Sequence, residues 1–68
     1  MPSSVIRRFD YRPGQRELLI EFVTGRRYLY SGVPLEEVEQ MRSAFSKGRY
    51  FNAHIRDCYL FREIVEAG

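Results

Sequence analysis

Between residues 17 and 23 the chain alternates with period two. Leu18, Ile20 and Phe22 fall on one side, and Glu17, Leu19, Glu21 and Val23 fall on the other. Such a run is a strand with one side turned toward a core, and it organises the reading of its neighbours. Before it, Arg12-Pro13-Gly14-Gln15 forms a turn, with proline presetting φ and Gly14 free to take a positive φ. Residues 5–11 alternate in a mixed pattern that suits an outer strand. After the central run, Thr24-Gly25-Arg26 supplies a tight hairpin turn. A third strand at 27–31 then carries Tyr28 and Tyr30 on one face and Leu29 on the other.

Beyond Ser31 the period changes. Pro34 suits the first position of a helix, where its missing N–H costs nothing. Glu36, Glu37 and Glu39 follow, placing negative charge near the positive end of the helix dipole. Leu35, Val38, Met41 and Phe45, with Ala44 beside it, keep helical spacing. Gly48 stands where a carboxyl-terminal cap is expected. A second helix is expected over 49–56, with Phe51 and Ile55 one turn apart, while 59–65 fits either a helical extension or a short strand. The expected fold is α+β: a three-stranded antiparallel meander followed by two helices packed on one face, β-β-β-α-α. One domain spans 1–68, with 60–68 as its tail. The helices cover one sheet face and leave the other open.

A chain of 68 residues builds one thin core. Its aromatic content of 15% lets few residues bury a large apolar area. The single cysteine, Cys58, forms no internal disulfide. No apolar run approaches a membrane span, and Met1-Pro2-Ser3-Ser4 lacks the cationic and apolar pattern of a leader. A cytoplasmic protein is the expectation.

No catalytic apparatus is expected. His54 precedes Cys58 by four residues, so on a continuous helix they would share a face. A structural zinc site needs four ligands and a Cys–His nucleophile needs a pocket. The preferred reading makes Cys58 a small buried residue and His54 a surface one. The three glutamates near the helix start are solvated acids that complement its dipole. The sequence implies no metal and no cofactor.

The net charge of +2 conceals its distribution. Residues 42–56 hold Arg42, Lys47, Arg49 and Arg56 with no acid, while 35–41 hold three glutamates with no base. Ten of the eleven cations are arginine, whose planar fork suits phosphate and carboxylate. Ser46-Lys47-Gly48-Arg49 reads either as an ordinary helix-to-helix turn or as an anion site. In the second case Asn52 and Arg56 lie beyond it, and backbone N–H groups point at the ligand. Tyr28 and Tyr30, flanked by Arg26 and Arg27, are either a stacking surface for single-stranded nucleic acid or core residues beneath the helices.

Taken in order, Val5-Ile6, Leu18-x-Ile20-x-Phe22, Gly25, Tyr28-x-Tyr30, Val33-Pro34, Ala44-x-Ser46-x-Gly48-x-Tyr50-Phe51-Asn52 and Ile55-Arg56 resemble the KTSC domain. This short module occurs at the carboxyl end of some lysyl-tRNA synthetases and as small bacterial and phage-associated proteins. The resemblance runs from about Ser4 to Tyr59. It implies a module with no established activity, for which RNA binding is the suggestion drawn partly from its attachment to a tRNA-handling enzyme.

Residues and resemblance together point to a small binding module for RNA or another nucleic acid. Its candidate contacts are Tyr28, Tyr30, Ser46, Lys47, Gly48, Arg49, Asn52 and Arg56. The alternative is a protein-interaction module using the open sheet face or the third strand as an edge. Contiguous Leu19, Val23 and Leu29 without nearby arginine would favour that alternative.

Overall fold

The computed structural model describes residues 6–65. Val5 of the expected first strand and 66–68 of the expected tail lie outside the described residues. The element order is β1 (Ile6–Arg12), β2 (Glu17–Phe22), β3 (Arg27–Ser31), α1 (Leu35–Ser43), α2 (Lys47–His54) and β4 (Leu60–Ile64). All four strands form one antiparallel sheet in the order β1-β2-β3-β4. The expected three-stranded meander is therefore corrected to four strands, with the helical pair inserted between the third and the fourth. The stretch that fitted helix or strand is a strand. Because β4 pairs with β3, the third strand is interior, and the sheet edges are β1 and β4.

Register assigns the two faces. Tyr11, Leu18, Tyr30 and Phe61 are cross-strand neighbours, and Phe9, Ile20, Tyr28 and Glu63 form the adjacent row. These rows lie on the helix-covered side, where Leu18, Ile20, Phe22 and Tyr30 pack with Val33, Val38, Met41, Phe51 and Ile55 as the core. The opposite face carries Asp10, Leu19, Leu29 and Arg62 in one row and Arg8, Glu21, Arg27 and Ile64 in another.

The turns show what each residue type contributes. At the β2–β3 hairpin, Gly25 takes φ 93° and its N–H donates to the Phe22 carbonyl at 2.9 Å, a geometry glycine adopts without Cβ strain. In the β1–β2 turn the positive φ falls on Arg16, at 56°, and not on Gly14. The link from β3 to α1 is tied down at buried Val33. Its N–H donates to the Arg16 carbonyl at 3.0 Å, and its carbonyl accepts from the Tyr11 hydroxyl at 2.7 Å.

Both helices are shifted from their expected places. Pro34 is the capping residue before α1, not its first helical residue. Only Val38 and Met41 of the proposed apolar stripe are buried, whereas Leu35 is exposed. The helix ends at Ser43 and Ala44 turns extended, so Phe45 leaves the helical spacing and stands fully in solvent, at 108% relative exposure. Ser46 then caps α2, its Oγ accepting from the Arg49 N–H at 3.3 Å. A side-chain acceptor of this kind fixes a helix start. It places Gly48 inside α2, not at the end of α1, and moves the second helix two residues upstream of 49–56.

One carboxylate ties the helices to the approach to β4. Glu37 on α1 accepts from the Tyr50 hydroxyl of α2 at Oε2 and from the Tyr59 hydroxyl at Oε1, the latter at 2.9 Å. Gln40 Oε1 also accepts from Tyr50, at 3.2 Å. Burial first, then the Glu37 hydrogen bond and charge, push both tyrosines up to about 12.

Candidate functional site

The core-facing side of the sheet gathers aromatic rings beneath α2. Phe22 meets Tyr28 edge-on at 5.6 Å, Tyr28 meets Phe61 at 5.6 Å, and Phe61 stacks on Tyr30 at 5.2 Å. Tyr30 meets Phe51 edge-on at 5.3 Å, and Phe51 meets Phe22 at 5.5 Å. The five rings thus form a closed circuit of contacts. They line a cleft of about 320 Å³ together with Asn52, Arg56 and Asp57, a size at the lower end of small-ligand pockets.

Within this cleft the rings differ in access. Tyr30 is 3% exposed, its ring held between Phe51 and Phe61. Tyr28 is half-buried and Phe61 is 53% exposed, so these two present surface to solvent. Leu29 lies on the open face, in the row of Asp10, Leu19 and Arg62. Both tyrosines lie on the helix-covered side, and only Tyr28 keeps an accessible ring.

Charged groups surround the hydroxyl end. Burial chiefly pushes the Tyr30 phenol up to about 12, with Arg56 opposing and Tyr28 and Asp57 adding to the shift. Arg56, Asp57 and Tyr28 are therefore all within electrostatic reach of that hydroxyl. The Tyr28 hydroxyl also accepts a hydrogen bond from Arg26, which with the Glu63 charge holds the guanidinium above its ordinary value.

Helix α2 supplies the remaining candidates. Arg56 donates from its guanidinium to Asn52 Oδ1 at 3.4 Å. Arg49 precedes Asn52 by three residues, a spacing that keeps both on one helix side. Arg49, Asn52 and Arg56 therefore make a polar stripe leading to the cleft. Lys47 and Gly48 lie in the first turn of α2, at its far end, with Lys47 exposed. The Arg49 N–H is already engaged by Ser46 Oγ. This turn therefore offers the side chains of Lys47 and Arg49 more than an open nest of backbone donors. The structure brings Tyr28, Tyr30, Asn52 and Arg56 to one cleft, and sets Ser46, Lys47, Gly48 and Arg49 along the helix outside its lining.

The reading from sequence missed Phe22, Asp57 and Phe61 as members of this cleft. For Phe61 a signal existed: Tyr28-x-Tyr30 facing the core needs an aromatic neighbour on the next strand. The other candidates resolve simply. Cys58 is exposed, which corrects its expected burial. Helix α2 ends at His54, so His54 and Cys58 share no helical face, and the imidazole instead stacks on Tyr50 at 4.4 Å. Among the described residues no group of three or more His, Cys, Asp or Glu could hold a metal ion, and no helix is long and apolar enough to cross a membrane.

The open face sets Leu19 and Leu29 among charged residues, with Leu60 and Ile64 on its β4 edge. Leu19 and Leu29 are cross-strand partners. Leu19 lines one depression with Arg8, Asp10, Glu21 and Arg27, and both leucines line a second with Asp10, Arg12, Glu17, Arg62 and Ile64. Irregular register between Ile6 and Arg8 sets both Arg7 and Arg8 against Glu21, at 3.7 and 2.8 Å. The Arg8 hydrogen bond is the main cause holding the Glu21 carboxyl below its ordinary value, with burial opposing it. Arginine is close to both leucines, so the pattern expected for the protein-interaction alternative, leucines without nearby arginine, is not what this face presents.

Comparison with known proteins gives consistent matches. The family model of the KTSC domain matches residues 2–59. A lysine–tRNA ligase of Nostoc punctiforme is 38% identical over 62 residues, which are 91% of this chain and 11% of that enzyme. A protein of Stutzerimonas stutzeri is 42% identical over 52 residues, 76% of this chain and 73% of its own length. The crystal structure of a KTSC domain protein from Yersinia pestis superposes with a TM-score of 0.84 at 39% identity, covering 96% of this chain and 92% of that one. The chain spans about a tenth of the length of the ligases it matches.

Proposed function

This chain belongs to the KTSC domain family, and on that premise we propose that it is a small RNA-binding module whose contact surface is the aromatic cleft and the basic side of α2. The observation that carries the reading is convergence. Tyr28 and Phe61 offer ring surface in the same cleft that Asn52 and Arg56 line, and Arg49 and Lys47 continue the positive charge along the helix. Single-stranded RNA is bound by this combination: unstacked bases pack on aromatic rings while arginine and lysine take phosphates. Relatives that are lysine–tRNA ligases support an RNA partner over a protein one. The reading assigns binding and no reaction.

Its test is amide chemical-shift mapping with a short single-stranded RNA at low salt. Shifts are expected at Tyr28, Arg49, Asn52, Arg56 and Phe61, with Leu19 and Leu29 unmoved. Shifts confined to the open face, or none at all, would overturn the proposal.

A further inference from the structure

Asp57 is out of place in a site for a polyanion. A carboxylate at the mouth of an RNA-binding cleft repels phosphate, unless it accepts hydrogen bonds from the nucleotide itself. Asp57 lines the cleft beside Arg56 and lies on an exposed turn after α2. Its charge reaches the Tyr30 hydroxyl at the cleft floor. It therefore stands at the edge of the space a base would fill.

We infer that the cleft selects guanine. Among the four common bases only guanine presents two adjacent donors, the N1–H and the exocyclic N2 amino group, to a single carboxylate. It also carries the acceptors O6 and N7, which suit an arginine fork. Asp57 takes the two donors, Arg56 serves the acceptor side, and the accessible rings of Tyr28 and Phe61 stack on the base plane. Adenine and cytosine place a ring-nitrogen acceptor beside their amino group, so against Asp57 they set lone pair against lone pair. Uracil offers one donor between two carbonyls. The inference rests on the RNA reading above and adds to it the identity of the base.

Fluorescence anisotropy on uridine heptamers tests it. The central base is guanine, adenine, cytosine or hypoxanthine, the last lacking the N2 amino group. The guanine strand is expected to bind roughly tenfold tighter than the adenine strand, as one good bidentate pair provides, with the hypoxanthine strand between them. Asp57→Asn should bring the guanine-to-adenine ratio to within about twofold while leaving the salt dependence intact. Equal, salt-sensitive binding of all four strands would overturn the base assignment and leave the RNA reading standing. No binding by any strand would overturn both. Free guanosine monophosphate binding tighter than the guanine strand would keep the pocket and overturn RNA as its source.

Discussion

Removing the Glu37 carboxylate should loosen the helical pair, whose second member, α2, supplies Phe51 and Asn52 to the cleft. Glu37 receives two tyrosine hydroxyls, from Tyr50 and Tyr59, and so joins α1, α2 and the approach to β4. Hydrogen bonds to a charged acceptor contribute about 1.5–3 kcal/mol each. Both tyrosines are only half-buried, which favours the lower end of that range. Tyr50 has a second acceptor in Gln40 Oε1 at 3.2 Å, so its loss is smaller, about 0.5–1 kcal/mol net. Glu37→Ala should therefore cost roughly 2–3 kcal/mol. In a domain of this length that lowers the melting temperature by roughly 10–20 °C, read by circular dichroism. Glu37→Gln keeps an oxygen acceptor without the charge and should lose about half as much. Glu36→Ala, on the exposed side of the same turn, should stay within about 0.5 kcal/mol of the parent. If Glu37→Ala melts within about 2 °C of the parent, the carboxylate is not the tie described here.

Alkali provides a related test. Tyr30, Tyr50 and Tyr59 are each pushed from 10.0 up to about 12, so between those values the unfolded chain binds fewer protons than the folded one. Stability should hold up to about pH 10 and fall as pH rises toward 12, which urea melts across that window would register. Phe45→Ser should leave stability within about 0.5 kcal/mol of the parent, since that ring touches solvent and not the core. Phe51→Ala should cost about 3–5 kcal/mol, because the ring is 1% exposed and braced by Phe22 and Tyr30. That is most of the stability of so small a domain, and the variant should lose its cooperative melt.

The legible parts of the fold were those whose pattern is local. Leu18, Ile20 and Phe22 alternate cleanly because β2 is interior and packs one side on the helices. Gly25 marks its hairpin because the backbone there requires a positive φ. Strand β4 was ambiguous for the opposite reason. It is a short edge strand whose apolar Leu60 and Ile64 lie on the open face and whose Glu63 lies on the covered one. Its residues therefore do not sort by burial. The helix boundaries turned on Ser46: a serine preceding Lys47-Gly48-Arg49 can cap a new helix, whereas Gly48 alone reads as the end of the old one. Treating Gly48 as the stop extended α1 to Phe45. Of the residues lining the candidate cleft, Tyr28, Tyr30, Asn52 and Arg56 were among those the sequence singled out. Phe61 and Asp57 came to it only through tertiary placement, since β4 must first pair with β3 before Phe61 can reach Tyr30.

The most direct measurement of the RNA-binding reading is the salt dependence of affinity for a short single-stranded RNA, for the parent and for an Arg49→Ala/Arg56→Ala double variant. If Lys47 and Arg49 each neutralise a phosphate and the charge of Arg56 beside the bound base displaces a third counterion, the slope of log K against log salt should be about −2 for the parent. It should be shallower by about 1.4 for the double variant, whose affinity should also be weaker at low salt. A slope near zero, or the same slope and affinity in both proteins, would contradict the assignment of this helix as the phosphate-contacting surface.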